Sequence, residues 1–418
     1  MDTSWLTARI SAHLTALVEQ IGPRPPGSPA NRLATDYLRM VLGAAGLEVH
    51  VEPFACRWWE PGSAAVEVGG AWYDVTPSPF SRPCDVRGRV ARLSTPAELE
   101  SADLEPGRIV VIDGDLTAEA YFPKAYPFLD LPEQRARLAR LEALRPAAVI
   151  AIVPAREAVP VLEDGDLEFP YLQVTPALGD RIRRHRAVGV RIGGALHDAE
   201  GVNVAARHPG TGPRVVLSAH VDTKATTPGA FDNAAGVSTL LALAEAGLPD
   251  GLPVELVFFN GEDHYQAPGE QAWLATADLT DIRYVINLDG VGVVGRDTTV
   301  AMLACPPEVE ARVRALVDGR PGWGIGPEWY ESDHAIFAMR GIPSLAITSE
   351  NVHELLPEII HTERDGVRAV DPTILARVAV FLDDWLRLPP DPRSSPAQTR
   401  STAIATEPPP PRHRVASP

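Results

Sequence analysis

The sequence predicts an α/β fold: a mostly parallel, mixed sheet covered by helices on both faces, with an inserted smaller β-rich α/β domain. Three observations carry this. From residue 200 onward, short apolar, β-branched runs alternate with helical segments, the pattern of buried parallel strands joined by helices. Residues 59–198 change character and hold a separate set of short β runs. Several runs of the second half end directly on histidine, aspartate or glutamate, and open α/β sheets gather such residues at the carboxyl ends of their strands.

The elements follow in order. Residues 4–20 and 29–45 read as amphipathic helices. Pro23, Pro25, Pro26 and Gly27 stop the first, and Ser28 or Asn31 is placed to cap the second. Gly46 suits a helix C-cap, and Leu47-Glu-Val-His-Val-Glu-Pro53 alternates as an edge strand does. Residues 1–58 therefore form the N-terminal part of the main domain. Within 59–198 the strands are 107–113, 147–153, 169–174 and 188–192, around helices near 132–143 and 176–186; no series of metal-ligating residues occurs there. Residues 199–388 carry strands at 203–207, 215–219, 253–259, 283–289 and 343–348, and helices at 232–246, 306–318 and 371–387. The tail, 389–418, is rich in Pro, Ser and Thr, with Pro408 to Pro411 consecutive, and is expected to be disordered.

Bulk properties narrow the partners. A net charge of −17 disfavours nucleic acid and anionic membrane, and 45% hydrophobic residues supply an ample core. The first residues lack the apolar stretch of a signal peptide, and no run approaches the ~18 apolar residues of a membrane span. The cysteines, Cys56, Cys84 and Cys305, are widely spaced and odd in number. Together these lead to the expectation of a cytoplasmic protein of open oligomeric state.

The chemistry lies between His220 and His361. Arg214-Val-Val-Leu-Ser-Ala-His220-Val-Asp222 opens the series, followed by Phe231-Asp232-Asn233, Phe258-Phe-Asn-Gly-Glu262-Asp263, Asn287-Leu-Asp289 and Ile359-Ile-His361. Imidazole and carboxylate are the usual ligands of a hydrolytic zinc, at roughly 2.0–2.2 Å. A pair of metals roughly 3.5–4 Å apart needs a carboxylate common to both. We assign His220 and Asp289 to one metal, Asp263 and His361 to the other, and Asp232 as the bridge. Glu262, beside a ligand, becomes the general base, and Asp222 a partner orienting the His220 imidazole. A carboxylate pair after Leu-Val-Phe-Phe lies at a buried strand end, where uncompensated charge is costly, and a metal offsets that cost.

The series resembles the M28 family of metallopeptidases, the clan of aminopeptidases and glutamate carboxypeptidases. The resemblance rests on His220-Val-Asp222, Phe231-Asp232-Asn-Ala-Ala-Gly236, Gly261-Glu262-Asp263, Asn287-Leu-Asp289, Ser332-Asp333-His334, His361-Thr-Glu-Arg-Asp365 and the lead-in Ile21-Gly-Pro-Arg-Pro-Pro-Gly27-Ser-Pro-Ala-Asn31. It spans about residues 10–55 and 200–387, and 59–198 looks like a protease-associated insert domain that would roof the site. The family implies two zinc ions per chain (cobalt and manganese suit the same donors), Glu262 as base, a cis peptide between Asp232 and Asn233, and peptide or aminoacyl substrates. An aminopeptidase is the first expectation. A glutaminyl cyclase-like acyltransferase, a carboxypeptidase or acyl-amino-acid hydrolase, and a catalytically inactive binding module are the rivals.

Two departures stand out. The family usually has Glu where this chain has Asp263, and many members carry Tyr just before the last His ligand, where this chain has Ile360. Tyr330, His334 and His264 are the candidate substrate-binding donors. His353-Glu354-Leu-Leu-Pro357 is not a zincin pair, because position 357 is Pro rather than His. Gly290-Val-Gly292-Val-Val-Gly295 is followed by a strand pattern rather than the helix a dinucleotide needs.

Overall fold

The computed structural model describes residues 1–129, 131–153, 160–355 and 358–388. The tail 389–418 and the end of the 353–357 motif lie outside them. The chain opens with helices α1 (Thr3–Leu14) and α2 (Pro29–Ala44), then a long strand β1 (Glu48–Val68). Next come β2 (Ala71–Val75), β3 (Cys84–Leu93), α3 (Pro96–Ser101), β4 (Ile109–Ile112), α4 (Pro132–Ala143), β5 (Ala148–Ile152), β6 (Tyr171–Val174) and α5 (Pro176–Arg183). A second long strand, β7 (Ala187–His208), leads back to β8 (Arg214–His220), α6 (Ala235–Ala246), β9 (Val254–Phe259) and α7 (Pro268–Thr276). The last elements are β10 (Ile282–Leu288), β11 (Thr298–Leu303), α8 (Pro307–Val317), β12 (Trp323–Ile325), α9 (His334–Ala338), β13 (Ser344–Ser349) and α10 (Pro372–Arg387).

Among the described residues these make one mixed sheet of 13 strands, running β12-β11-β13-β10-β8-β9-β7-β3-β4-β5-β6, with β1 paired to β7 and β2 to β1. The centre is parallel: β10 pairs with β13 and β8, and β8 with β9. Every residue of β8 is buried, as expected of a strand covered on both faces. Its alternation still sorts the two cores. Val215, Leu217 and Ala219 join one with α1, α2, α6 and α10, while Val216 joins the other with α7 and α9. This is the helix-covered α/β architecture expected from the sequence. Among the described residues no helix is long and apolar enough to cross a membrane.

Local differences have physical causes. The edge strand read at 47–53 continues to Val68, because β1 stays antiparallel to β7 from Glu48↔Arg207 to Glu67↔Gly189. Tertiary pairing here overrides Pro53 and Pro61, whose missing N–H groups an edge strand tolerates. The helix expected from 232 begins at Ala235, since Asp232 (φ −120°, ψ 88°) and Asn233 (φ −137°, ψ 37°) are not helical. Ser28 is the cap of α2, its side chain accepting from Asn31 N–H at 3.0 Å. Ser332, just before α9, accepts a hydrogen bond from Asn287 at 2.9 Å.

Candidate metal centre

Neighbouring parallel strands deliver the site. β8 ends at His220, β9 leads into Asn260-Gly-Glu262-Asp263, and β10 leads into Asp289. Asp232 comes from the turn before α6, where the Asp232–Asn233 peptide is cis, as the resemblance implied. His361 enters from the far side at φ 58°, a left-handed conformation that non-glycine residues seldom adopt.

The side chains meet in two groups that share one residue: His220 with Asp232 and Asp289, and Asp232 with Asp263 and His361. The two oxygens of Asp232 divide between them. Oδ1 lies 3.1 Å from His220 Nε2 and Oδ2 lies 3.2 Å from His361 Nε2. Asp289 Oδ1 is 3.4 Å from His220 Nε2, and Asp263 Oδ1 is 2.9 Å from His361 Nε2. Glu262 Oε2 stands 4.0 Å from His220 Nε2, outside both groups. Glu262 and His361 keep 18% and 20% of their side-chain surface, so the site opens on their side.

A further layer of bonds holds the backbone that presents these groups. Asp222 lies 3.7 Å from His220 Nδ1, beyond hydrogen-bond reach; it accepts instead from Gly261 N–H at 2.7 Å and Asp263 N–H at 3.2 Å. It thus holds the Glu262-Asp263 loop. Asp365 accepts from Phe231 N–H at 2.6 Å and Asp232 N–H at 3.0 Å. Asn233 donates to Leu288 O at 2.8 Å, and Ser218, Asn287 and Ser332 form a buried chain two residues behind His220 and Asp289. Gly229 has φ 66°, and a Cβ there would meet Thr223 Cγ2 at 2.2 Å, so the turn toward Asp232 admits only glycine.

The electrostatics favour added positive charge. Burial disfavours an imidazolium at His220, yet Asp289, Asp222 and Asp232 raise its proton affinity well above the ordinary value. His361, also penalised by burial, is pushed up to about 10 by Asp263 and Asp232. Burial opposes ionisation of Asp232, but His220 and His361 hold it well below the usual carboxylate range. Glu262 rises well above its ordinary value, first through burial and then through Asp263, Asp289 and Asp333, with His220 opposing. Neither ring nitrogen of His220 nor Asp263 Oδ2 has a directed hydrogen bond. Unsatisfied imidazole nitrogen and carboxylate oxygen, in a cavity that attracts cations, fit divalent metal ions.

Each of the three candidate substrate-binding residues has a hydrogen-bond partner outside the two ligand groups. His264 is buried, with Nε2 bonded to Arg57 O at 2.9 Å and Nδ1 accepting from Gln266 N–H at 3.2 Å. His334 is fully buried against Trp329, whose carbonyl takes its Nε2–H at 2.8 Å. Tyr330 is exposed and its hydroxyl donates to Glu328 at 3.3 Å. Sequence reasoning quoted Arg24 and Asp365 inside motifs without giving either a task. An arginine amid a proline-rich turn, and an aspartate four residues beyond the last histidine, were the available signals.

The segment that holds these residues is similar to known proteins. Residues 203–383 match the model of peptidase family M28. Among solved structures, an aminopeptidase from Aneurinibacillus sp. strain AM-1 superposes with a TM-score of 0.69 at 20% identity, covering 91% of this chain and 92% of that one. A zinc aminopeptidase from Bacillus subtilis gives a TM-score of 0.70 at 18% identity, covering 90% and 93%. A curated relative, a vacuolar membrane protease of Clavispora lusitaniae, is 33% identical over 86 residues, which are 20% of this chain and 8% of that protein. The matched stretches thus span about a tenth of the curated relatives' length. Residues 203–383, which carry both groups of metal-ligating side chains, are thus similar to peptidase family M28, and the fold is that of the aminopeptidase structures.

Proposed function

We propose that the protein is an exopeptidase that removes residues from the amino ends of peptides, with two zinc ions in the site. The observation that carries this is Asp232, whose oxygens each face a different histidine, at 3.1 and 3.2 Å. His220 and Asp289 would hold one ion and Asp263 and His361 the other, with Asp232 common to both. Two such ions, when bound, polarise the scissile carbonyl and make water nucleophilic near neutral pH.

The chain's own groups do the rest. Glu262 sits beside Asp263 with its carboxylate free of both ligand groups, and its raised proton affinity suits a general base. It takes the proton of the attacking water and hands it to the leaving amine. Asp222 and Asp365 keep the base loop and the bridging loop at fixed separation through backbone hydrogen bonds. Residues 59–198 act as an insert domain that limits access to the open side. A one-metal acyltransfer reading would leave half of Asp232 without a task.

The test is metal content per chain together with hydrolysis of aminoacyl amides, with and without a chelator. The expected result is two metals and chelator-sensitive release of N-terminal residues. Two metals with hydrolysis confined to N-acylated or C-terminal substrates would move the reading to a carboxypeptidase or acyl-amino-acid hydrolase. No metal after zinc reconstitution would overturn it.

A further inference from the structure

Beside Glu262 lies a second acidic feature that the ligand groups do not use. Glu270 stands in the first turn of α7 and Asp333 at the start of α9. Three residues after Glu270 comes Trp273, and four after Asp333 comes Phe337. These two rings stack edge-on at 5.1 Å and both meet Phe259, at 5.6 and 6.2 Å. An aromatic floor thus joins α7, α9 and the end of β9, and Glu270 and Asp333 each lie about one helical turn along the chain from its rings. Glu270 is 3% exposed and Asp333 1%. Glu270 Oε2 and both carboxylate oxygens of Asp333 have no hydrogen-bond partner.

The roof comes from the 59–198 segment. Phe128 packs on the same aromatic cluster, and Tyr126 lies 5.8 Å from Phe128 and 6.0 Å from Phe122, ring to ring. Lys124 anchors this strap, its N–H donating to Asp164 at 2.8 Å and its Nζ to Glu142 at 2.6 Å and Asp166 O at 2.8 Å. Burial, then the charges of Glu262, Glu270, Asp333 and Glu331, keep the Tyr126 phenol protonated as a hydrogen-bond donor.

Buried acids without partners are costly, and two in each other's field cost more. An ammonium group relieves this, since it brings positive charge and three N–H donors to a place rich in acceptors. We propose that Glu270 and Asp333, closed over by Tyr126, form the subsite for the free α-ammonium group of the substrate's first residue. This rests on the peptidase reading and deepens it. An ammonium held beside Glu262 puts the first peptide carbonyl, two bonds away, next to the base, which explains a preference for chain ends.

The experiment compares L-leucine p-nitroanilide with its N-acetyl derivative, using zinc-loaded full-length protein, for wild type, Glu270→Gln, Asp333→Asn and Tyr126→Phe. Wild type is expected to cleave the free-amine probe and discriminate against the acetylated one. Glu270→Gln and Asp333→Asn raise KM for the free-amine probe by roughly tenfold to a hundredfold, the worth of a hydrogen bond to a charged group, with kcat and metal content little changed. Tyr126→Phe, at the rim, raises it severalfold and decides the matter if the buried variants do not fold. Unchanged KM in the folded variants overturns the subsite alone. Equal cleavage of both probes by wild type also overturns the subsite while leaving the peptidase reading intact. Failure of wild type on both, with or without added zinc, sinks the peptidase reading and the subsite with it.

Discussion

The guanidinium of Arg24 donates to the carbonyl of Gly229 at 2.9 Å, linking the N-terminal lead-in to the turn that presents Asp232. The same side chain reaches Pro228 O at 2.9 Å and Val221 O at 2.7 Å. One planar fork thus spans the whole loop between His220 and Asp232, from a residue outside the matched segment 203–383. Burial brings Arg24 down to about 10, with Asp365, Asp222, Asp232 and Asp263 opposing, so it stays charged at neutral pH.

Replacing Arg24 by Lys keeps the charge but cannot satisfy three carbonyls in three directions. We expect a loss of about 3 kcal/mol in unfolding free energy, the scale of a buried hydrogen bond to a charged group, and weaker zinc binding. Urea unfolding and zinc titration of the same preparations check both. A variant as stable as wild type would mean that the loop holds its own shape.

Glu262→Gln keeps the size of the side chain and removes the proposed base. Turnover should fall by about 10²–10⁴, with metal content unchanged, because proton transfer is lost while the ligand groups are untouched. Metal analysis beside steady-state kinetics separates this from loss of the site. A fully active variant would remove Glu262 from the mechanism.

Asp365→Asn leaves every ligand in place but offers an amide nitrogen where one backbone N–H now finds an oxygen. Such outer groups are typically worth about 10–100-fold in metal affinity. Competition with a chromophoric chelator should show zinc released that much more readily. Unaltered release would show that the bridging loop needs no clamp.

His334 supplies a pH dependence of stability. Burial lowers it to about 4, with only the Trp329 carbonyl opposing. Its folded value lies below its ordinary 6.5, so the unfolded chain binds the proton more readily. Its contribution is complete above pH 6.5 and is lost as pH falls toward 4, about 3 kcal/mol over that window. His334→Gln, which can still donate to Trp329 O, should flatten this part of the profile. Denaturation midpoints for both proteins between pH 4 and 7.5 give the answer, and parallel profiles would contradict it.

Much of the molecule was legible in sequence for local reasons. β8, β9, β10 and β13 are short apolar runs with polar boundaries, and burial on both faces leaves such runs little else to become. The extension of β1 and β7 was not legible, because their length is set by each other, more than 120 residues apart, and not by their own propensity. The turn at Asp232 read as the start of a helix, since its nonhelical backbone is imposed by contacts with Asp365 and Leu288.

What the sequence determined by itself was the supply of acids and imidazoles at strand ends. A charged residue directly after a buried run can only emerge at the sheet's rim, so the candidates could be named from order alone. Which oxygen faces which nitrogen was decided by tertiary structure. Asp232 divides between His220 and His361 because a loop from the N-terminus and an aspartate near the C-terminus fix its turn from either side. His264 and His334 sit in the same neighbourhood of sequence motifs, yet each commits its Nε2 to a backbone carbonyl. Side-chain direction depends on packing across distant elements, and local pattern does not encode it.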